Sequence, residues 1–258
     1  MRLLALITSF WLFAGLLPAA DLFRIATYNV ENYLVQSNET RVIKPAESRA
    51  KVREHLLALK ADVIALQEVG GEAALQDIRQ AVASGGLQYP HSEIAFGWDT
   101  NIQVAILSQF PITARRSHTN DSYLLQGRRL HVSRGFLEVD IQVNPQYSFT
   151  LMSTHLKSRR AVAVGDEAEM REQEAILLRE KIDARLNRSR EVNLIVLGDL
   201  NDVRDAKSTR AVIGRGRNAL VDTRPAERNG DNLPNPIPRY DPRNITWTHF
   251  YGKEDTYS

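Results

Sequence analysis

The fold class this sequence predicts is α/β, built from two packed mixed sheets with helices outside. Three observations carry that expectation. Short apolar runs such as Val63-Ile64-Ala65-Leu66 and Leu194-Ile195-Val196-Leu197 read as buried strands and alternate with stretches of helical periodicity. Residues 135–155 read as a plain antiparallel hairpin, which a doubly wound parallel sheet would not contain. Neither a G-x-G-x-x-G nor a G-x-x-x-x-G-K-[ST] run is present, so those two nucleotide-cradling folds are not indicated. A length of 258 residues suits one large domain with a sizeable core.

The elements follow in order. Residues 22–30 read as a strand ending at Tyr28-Asn29-Val30, and 31–46 as a polar loop. Val52, Leu56 and Leu59 lie at helical spacing within 47–60. Asp62 to Glu68 is a buried strand broken by Gly70-Gly71. Leu75, Ile78 and Val82 then mark a helix stopped at Gly85-Gly86. Ile102 to Leu107 is a strand closed by Phe110-Pro111. Leu137, Val139, Ile141 and Val143 alternate with Glu138, Asp140 and Gln142, as a half-buried strand does. Asn144-Pro145-Gln146 supplies the turn, and Phe149 to His155 the return strand. Asp166 to Arg190 is a charged amphipathic helix with Ala175, Leu178, Ile182 and Leu186 on one face. Residues 192–198 form the next strand. The stretch 224–244 holds five of the ten prolines and reads as loop, with a further strand beginning within Asn244 to Phe250.

Composition excludes several classes. The formal net charge is +2, so no global basic field marks a nucleic-acid binder. Positive charge is bunched at Arg115-Arg116, Arg128-Arg129, Arg159-Arg160 and Arg204 to Arg217; solvated loop surface and a track for phosphates are both open readings. The absence of cysteine excludes disulfides, zinc–thiolate sites and a cysteine nucleophile. Residues 1–20 have the layout of a signal peptide: Met1-Arg2, an apolar run from Leu3 to Leu17, then Pro18-Ala19-Ala20. The expectation is export to the periplasm or beyond, with the mature domain at 21–258.

Four expected strand ends carry polar groups. Strand one ends at Asn29, with Glu31 two residues on. Strand two ends at Gln67-Glu68. The hairpin returns to Thr154-His155, with Lys157 beyond. The strand 192–198 leads into Gly198-Asp199-Leu200-Asn201. A carboxylate is costly at the edge of a core, so its recurrence there suggests a task. The set suits phosphate ester hydrolysis. Glu68, Asn29 and Glu31 offer oxygen ligands for Mg²⁺. Asp199 can orient or deprotonate a water, with Asn201 fixing its geometry. His155 can donate to a phosphoryl oxygen. Lys157 and Arg134 add positive charge near the phosphate.

Five segments taken in order resemble the motifs of the endonuclease/exonuclease/phosphatase superfamily: Tyr28-Asn29-Val30-Glu31-Asn32, Asp62 to Val69, Val104 to Ser108, Ser153-Thr154-His155-Leu156-Lys157-Ser158, and Gly198 to Asp202. The resemblance covers 22–258. It implies a four-layer α/β/β/α sandwich of two mixed sheets and a divalent-metal site, Mg²⁺ or Mn²⁺, at one edge. It implies Asn29 and Glu68 at the metal, Asp199 and Asn201 at the nucleophilic water, and His155 and Arg134 against the phosphate. In that superfamily further strands follow a threonine/tryptophan segment, here Thr246-Trp247-Thr248, and carry an aspartate and a Ser-Asp-His motif. The chain stops at Ser258 before either. The expectation is therefore a domain lacking its last strands, inactive as it stands. The complete protein is expected to be a monomeric nuclease or phosphodiesterase acting on a phosphate ester, DNA or RNA included. The alternatives are a phosphatase or sphingomyelinase-type hydrolase and a non-catalytic phosphate-binding module.

Overall fold

The computed structural model describes residues 22–37, 40–189, 191–223, 250–251 and 256–257. The expected signal peptide and the proline-rich stretch 224–244 lie outside the described residues, as does most of the strand expected over 244–250.

The first half forms β1 (Ile25–Tyr33), α1 (Ala46–Leu59), β2 (Val63–Val69), α2 (Glu72–Ala83), β3 (His91–Ala95) and β4 (Gln103–Ser108). The second forms β5 (Ile112–Arg115), β6 (Ser122–Leu125), β7 (Arg128–His131), β8 (Leu137–Asn144), β9 (Tyr147–His155), α3 (Glu167–Arg188), β10 (Leu194–Asp199) and α4 (Lys207–Ile213). A short antiparallel pair, β11 (Phe250–Tyr251) and β12 (Thr256–Tyr257), follows. One sheet has the order β1-β2-β4-β3 and the other β10-β9-β8-β5. Both are mixed: β1–β2 and β9–β10 are parallel, while the other pairings are antiparallel.

Period-two alternation divides the apolar residues among three cores. Val63, Ala65, Val104 and Ile106 face Leu137, Val139, Ile141, Phe149 and Leu151 between the sheets. Ile64, Leu66, Ala105 and Leu107 face the other way, onto Val52 and Leu56 of α1 and Leu75, Ile78 and Val82 of α2. The outer face of the second sheet packs Met152 against Ala175, Leu178 and Ile182 of α3. The result is the four-layer α/β/β/α sandwich. Each fully buried branched side chain contributes about 1.5–3 kcal/mol. The β2 and β4 strands read as continuous apolar runs because both of their faces are covered.

Local chemistry sets the boundaries. Asp166 caps α3 by accepting the Glu169 N–H at 2.9 Å. Lys60 closes α1 in the left-handed conformation. The β6–β7 hairpin turns at Gln126-Gly127, both at positive φ, the geometry a two-residue hairpin loop requires.

The structure corrects three readings. The β1 strand continues to Tyr33, so the expected loop over 31–46 begins later. Strands β3, β5, β6 and β7 and helix α4 were not expected; each is four to seven residues long and too short for a periodic signal. The charged face of β8 does not meet solvent. Glu138 is buried and Asp140 partly buried beneath a set of cations. Arg116 donates to Glu138 at 2.7 Å and also to Asp140. His118 pairs with Glu138 at 3.0 Å, and Arg185 of α3 with Asp140 at 3.0 Å.

Burial alone would push the Glu138 and Asp140 carboxyls up. Hydrogen bonds from His118 and Arg116 to Glu138, and from Arg116 and Thr150 to Asp140, outweigh it, and both fall below their usual values. A depressed folded pKa contributes stability above the unfolded value of about 4, and that stability is lost as pH falls through the folded value. Urea midpoints measured from pH 6 down to 2 should therefore fall for the native chain. Asp140→Asn should start less stable and show a shallower fall below about pH 4. Parallel curves for the two proteins would contradict this account.

Candidate active site

Asn29, from within β1, and Glu68, His155 and Asp199, from the ends of β2, β9 and β10, converge at one edge of the gap between the sheets. Asp199 is the direct ladder neighbour of His155, because β10 and β9 pair in parallel from Leu194↔Thr150 onward. Leu197 and Leu151 face the inter-sheet core, so Asp199 and His155, each an even step further on, face the same side. Asn29 follows Ile25 onto that side by the same count.

Glu68 breaks the alternation. Continuing from Ile64 and Leu66, it would point toward the α1/α2 layer. Instead it adopts φ +67, and the β2–β4 register shifts between Leu66 and Val69. A bulge of this kind re-aims a side chain. The β1–β2 register shifts alongside, between Asn29 and Tyr33, where Glu31 and Asn32 have φ +49 and +50. Asn201 has φ +53. Backbone strain in non-glycine residues is thus gathered at this edge, where surrounding hydrogen bonds over-determine it.

Those hydrogen bonds are specific. The Asn29 amide donates to Glu68 Oε1 at 3.1 Å and to Asp199 Oδ2 at 2.9 Å. Its Oδ1 accepts the Glu31 N–H at 2.9 Å. The Asn32 N–H donates to Glu68 Oε2 at 2.8 Å. The Asn201 N–H donates to Asp199 Oδ1 at 2.9 Å, and its amide is anchored on the Leu156 carbonyl at 3.0 Å. His155 Nε2 lies 3.9 Å from both Glu68 Oε1 and Asp199 Oδ2. Burial, reinforced by the Arg134 charge, pushes the His155 imidazole down to about 4, against the opposing pull of Asp199 and Glu68. The ring is therefore neutral at pH 7.

Gly198 makes the β9–β10 contact possible. It sits at φ +134, and a Cβ there would lie 2.0 Å from the Thr154 carbonyl oxygen. Any larger residue would move Asp199 away from His155.

Glu31 stands apart. Its side chain is 87% exposed and lies 3.8 Å from Lys44 Nζ; only its backbone N–H joins the cluster. Arg134 and Lys157 are buried beside the cluster in the wall of a cleft of about 500 Å³. Arg134 Nη2 lies 3.5 Å from Asp99 Oδ2. Lys157 turns its ammonium onto the carbonyls of Ser158 and Arg160, at 3.0 and 2.8 Å.

Two residues of α3, absent from the sequence reading, hold these loops. Glu174 is fully buried and accepts the N–H groups of Lys157, at 2.6 Å, and Ser133, at 3.3 Å. Arg171 donates to the Lys157 carbonyl at 3.1 Å and to Asp202 Oδ2 at 2.9 Å. The signal was present: 171, 174, 178 and 182 share the spacing of one buried helical stripe, and two of its members are charged.

The donor chemistry fits a hard divalent cation. Glu68 and Asp199 bring two carboxylates to one neutral imidazole, and Asn29 Oδ1 keeps a second lone pair. Among the described residues, no group of three or more His, Cys, Asp or Glu side chains is arranged to hold a metal ion. An ion such as Mg²⁺ takes one or two carboxylates and retains several waters, so it does not need such a group.

The architecture and this edge site together define a class. The chain belongs to the Endonuclease/Exonuclease/phosphatase family, whose sequence profile matches residues 26–254. That membership makes a phosphoester hydrolase the supported activity class. Among solved structures it is similar to sphingomyelinase C from Streptomyces griseocarneus, with TM-score 0.54 and 18% identity over 74% of this chain and 68% of that one. The human Nocturnin catalytic domain with bound sulfate gives TM-score 0.53 and 17% identity over 73% and 68%. A beta toxin variant from Staphylococcus aureus, crystallised with magnesium ions, gives TM-score 0.52 and 15% identity over 74% and 69%. At these identities the likeness is one of fold. No curated protein sequence matches the chain.

Removing the Glu174 carboxylate leaves two buried N–H groups unpaired. Glu174→Ala should lower stability by about 3 kcal/mol in urea titrations. A loss below about 1 kcal/mol would show that the two loops do not depend on it.

Proposed function

We propose that this chain is an exported, Mg²⁺-dependent phosphodiester hydrolase of the nuclease/phosphodiesterase kind. The observation that carries the reading is the convergence of Asn29, Glu68, His155 and Asp199 on one point between the sheets. The magnesium-bound beta toxin supports the choice of ion, and the layout of residues 1–20 supports export.

Glu68 and Asn29 would hold the ion. When bound, it polarises a phosphoryl oxygen and offsets the charge that develops there. Asp199 orients the attacking water through its carboxylate. Asn201 keeps that carboxylate in place by its N–H and by its own anchor on Leu156. His155, neutral at pH 7, donates one N–H to a non-bridging phosphoryl oxygen. Arg134 and Lys157 provide fixed positive charge around the phosphate.

Four of the bunched arginines are held in ion pairs. Arg115 pairs with Glu93 at 2.6 Å, Arg116 with Glu138, Arg159 with Asp202 at 3.3 Å and Arg204 with Asp222 at 2.8 Å. Arg128, Arg129, Arg160, Arg215 and Arg217 of the same bunches are exposed.

Hydrolysis of bis(p-nitrophenyl) phosphate tests the reading, using the chain with its native C-terminal continuation wherever the gene encodes one. Turnover should vanish in EDTA and return with Mg²⁺. Asp199→Ala and Glu68→Ala should each lower kcat at least about 1,000-fold, and His155→Ala about 100- to 1,000-fold. Activity that survives EDTA, or both carboxylate substitutions, would sink the mechanism.

A further inference from the structure

The cleft beside the cluster has features that ester hydrolysis does not require. Arg41, Arg134, Lys157 and Arg160 line it against one carboxylate, Asp99. Trp98 stands at its wall, 58% exposed, and stacks on His131 with ring centroids 3.6 Å apart and planes inclined by 21°. One face of the indole is thereby backed by a second ring, while more than half of the side chain remains open to solvent. A single exposed apolar side chain is ordinary; what marks this one is its stacking on His131 beside a cleft lined by four cations.

The loop that carries Trp98 is held firmly. A Cβ on Gly97 would lie 2.5 Å from the Ser133 carbonyl oxygen and 2.7 Å from Arg134 Cα, so the loop meets the 133–135 backbone directly. The Asp99 N–H donates to the Ser133 carbonyl at 2.7 Å. Buried Gln103 donates to the Asp99 carbonyl at 2.6 Å and accepts the Gly97 N–H at 3.1 Å. The indole is therefore fixed relative to Arg134. Arg134 is itself nine-tenths buried; its guanidinium Nε has no hydrogen-bond partner among the described residues, its Nη2 lies 3.5 Å from Asp99, and its charge is also felt by the buried Glu174. The unpartnered Nε leaves this guanidinium a hydrogen bond to give, which an anion in the cleft could accept. A second cleft, of about 600 Å³, shares Arg41 and Arg160 with the first and reaches Asn32, whose N–H holds Glu68. The two join the hydrolytic cluster to the tryptophan.

We propose that Trp98, backed by His131, is a stacking platform for one nucleobase, with Arg134 and Arg160 taking the phosphate attached to that nucleotide. The substrate class is a nucleotidyl ester. A flat π-face beside concentrated positive charge suits a base joined to a phosphate. The same cations disfavour a quaternary ammonium headgroup, since four positive side chains line the cleft that it would have to enter. The inference rests on the phosphoester-hydrolase reading of the neighbouring cluster.

The test compares two ligands identical except for the nucleoside: α,β-methylene adenosine diphosphate and methylenediphosphonate, each with Mg²⁺, binding to the full chain. The nucleotide should quench tryptophan fluorescence and bind about tenfold or more tighter than the base-free ligand. Trp98→Ala should erase that excess while leaving methylenediphosphonate affinity unchanged, and Trp98→Phe should restore part of it. Trp98 is exposed, so both variants should melt like the native chain. A short single-stranded oligonucleotide that competes for the Trp98-dependent signal would assign the nucleotidyl group to a strand; competition by mononucleotides alone would assign it to a free nucleotide. Equal binding of the two ligands, an excess that survives in Trp98→Ala, or phosphocholine binding as tightly as the nucleotide would overturn the proposal. If bis(p-nitrophenyl) phosphate is not turned over yet the Trp98-dependent excess is measured, the hydrolase reading fails and the nucleobase subsite stands.

Discussion

One amide, Asn29, is shared by two carboxylates that arrive from different sheets. Glu68 comes from β2 and Asp199 from β10, and each accepts a hydrogen bond from the same nitrogen. Two like charges converging in a partly buried gap repel, more strongly as the local dielectric falls. The sandwich keeps them together because its sheets are packed through the inter-sheet core and because the Asn29 amide bridges the two carboxylates. Most of the other features of this edge serve that meeting. Glu68 is turned by a bulge, Gly198 lets β10 approach β9, and Asn201 fixes Asp199 from below.

Support for this edge reaches well behind it. Helix α3 buries Arg171 and Glu174 and grips Lys157 by both its carbonyl and its N–H. Further along, Arg185 of the same helix pairs with Asp140 on the outer face of β8. Charged residues therefore lie between helix and sheet where apolar packing would ordinarily suffice. Each is hydrogen-bonded, as buried charge must be. Through these bonds the helix fixes the backbone at Ser133 and Lys157, and with it the positions of Arg134 and Lys157 relative to the sheet.

The long elements were legible because periodicity over many residues overrides local noise. Helices α1, α2 and α3, strands β2, β4 and β10, and the β8–β9 hairpin follow the expected pattern. Strands of four or five residues carry too few alternations to register, which is why β3, β5, β6 and β7 were invisible. The sequence also marked polar residues that the fold brings together, since Asn29, Glu68, His155, Asp199 and Asn201 lie within or just past strands that read as apolar. It could not say that Glu31, two residues from Asn29, would turn its carboxylate to solvent. That outcome follows from the left-handed backbone at Glu31 and Asn32, a choice set by tertiary contacts.

By itself the sequence determined the class of fold, the polar residues at the strand ends and the kind of chemistry they suit, because hydrophobic period and residue type are local properties. Only the tertiary structure decided which of those residues meet. Asn29 and Asp199 are 170 positions apart and touch because two sheets pack face to face. Glu68 joins them because a bulge reverses the facing that alternation would dictate. The same packing sets Trp98 against His131 and beside Arg134, an arrangement that no spacing along the chain encodes, since it depends on two loops meeting at Gly97.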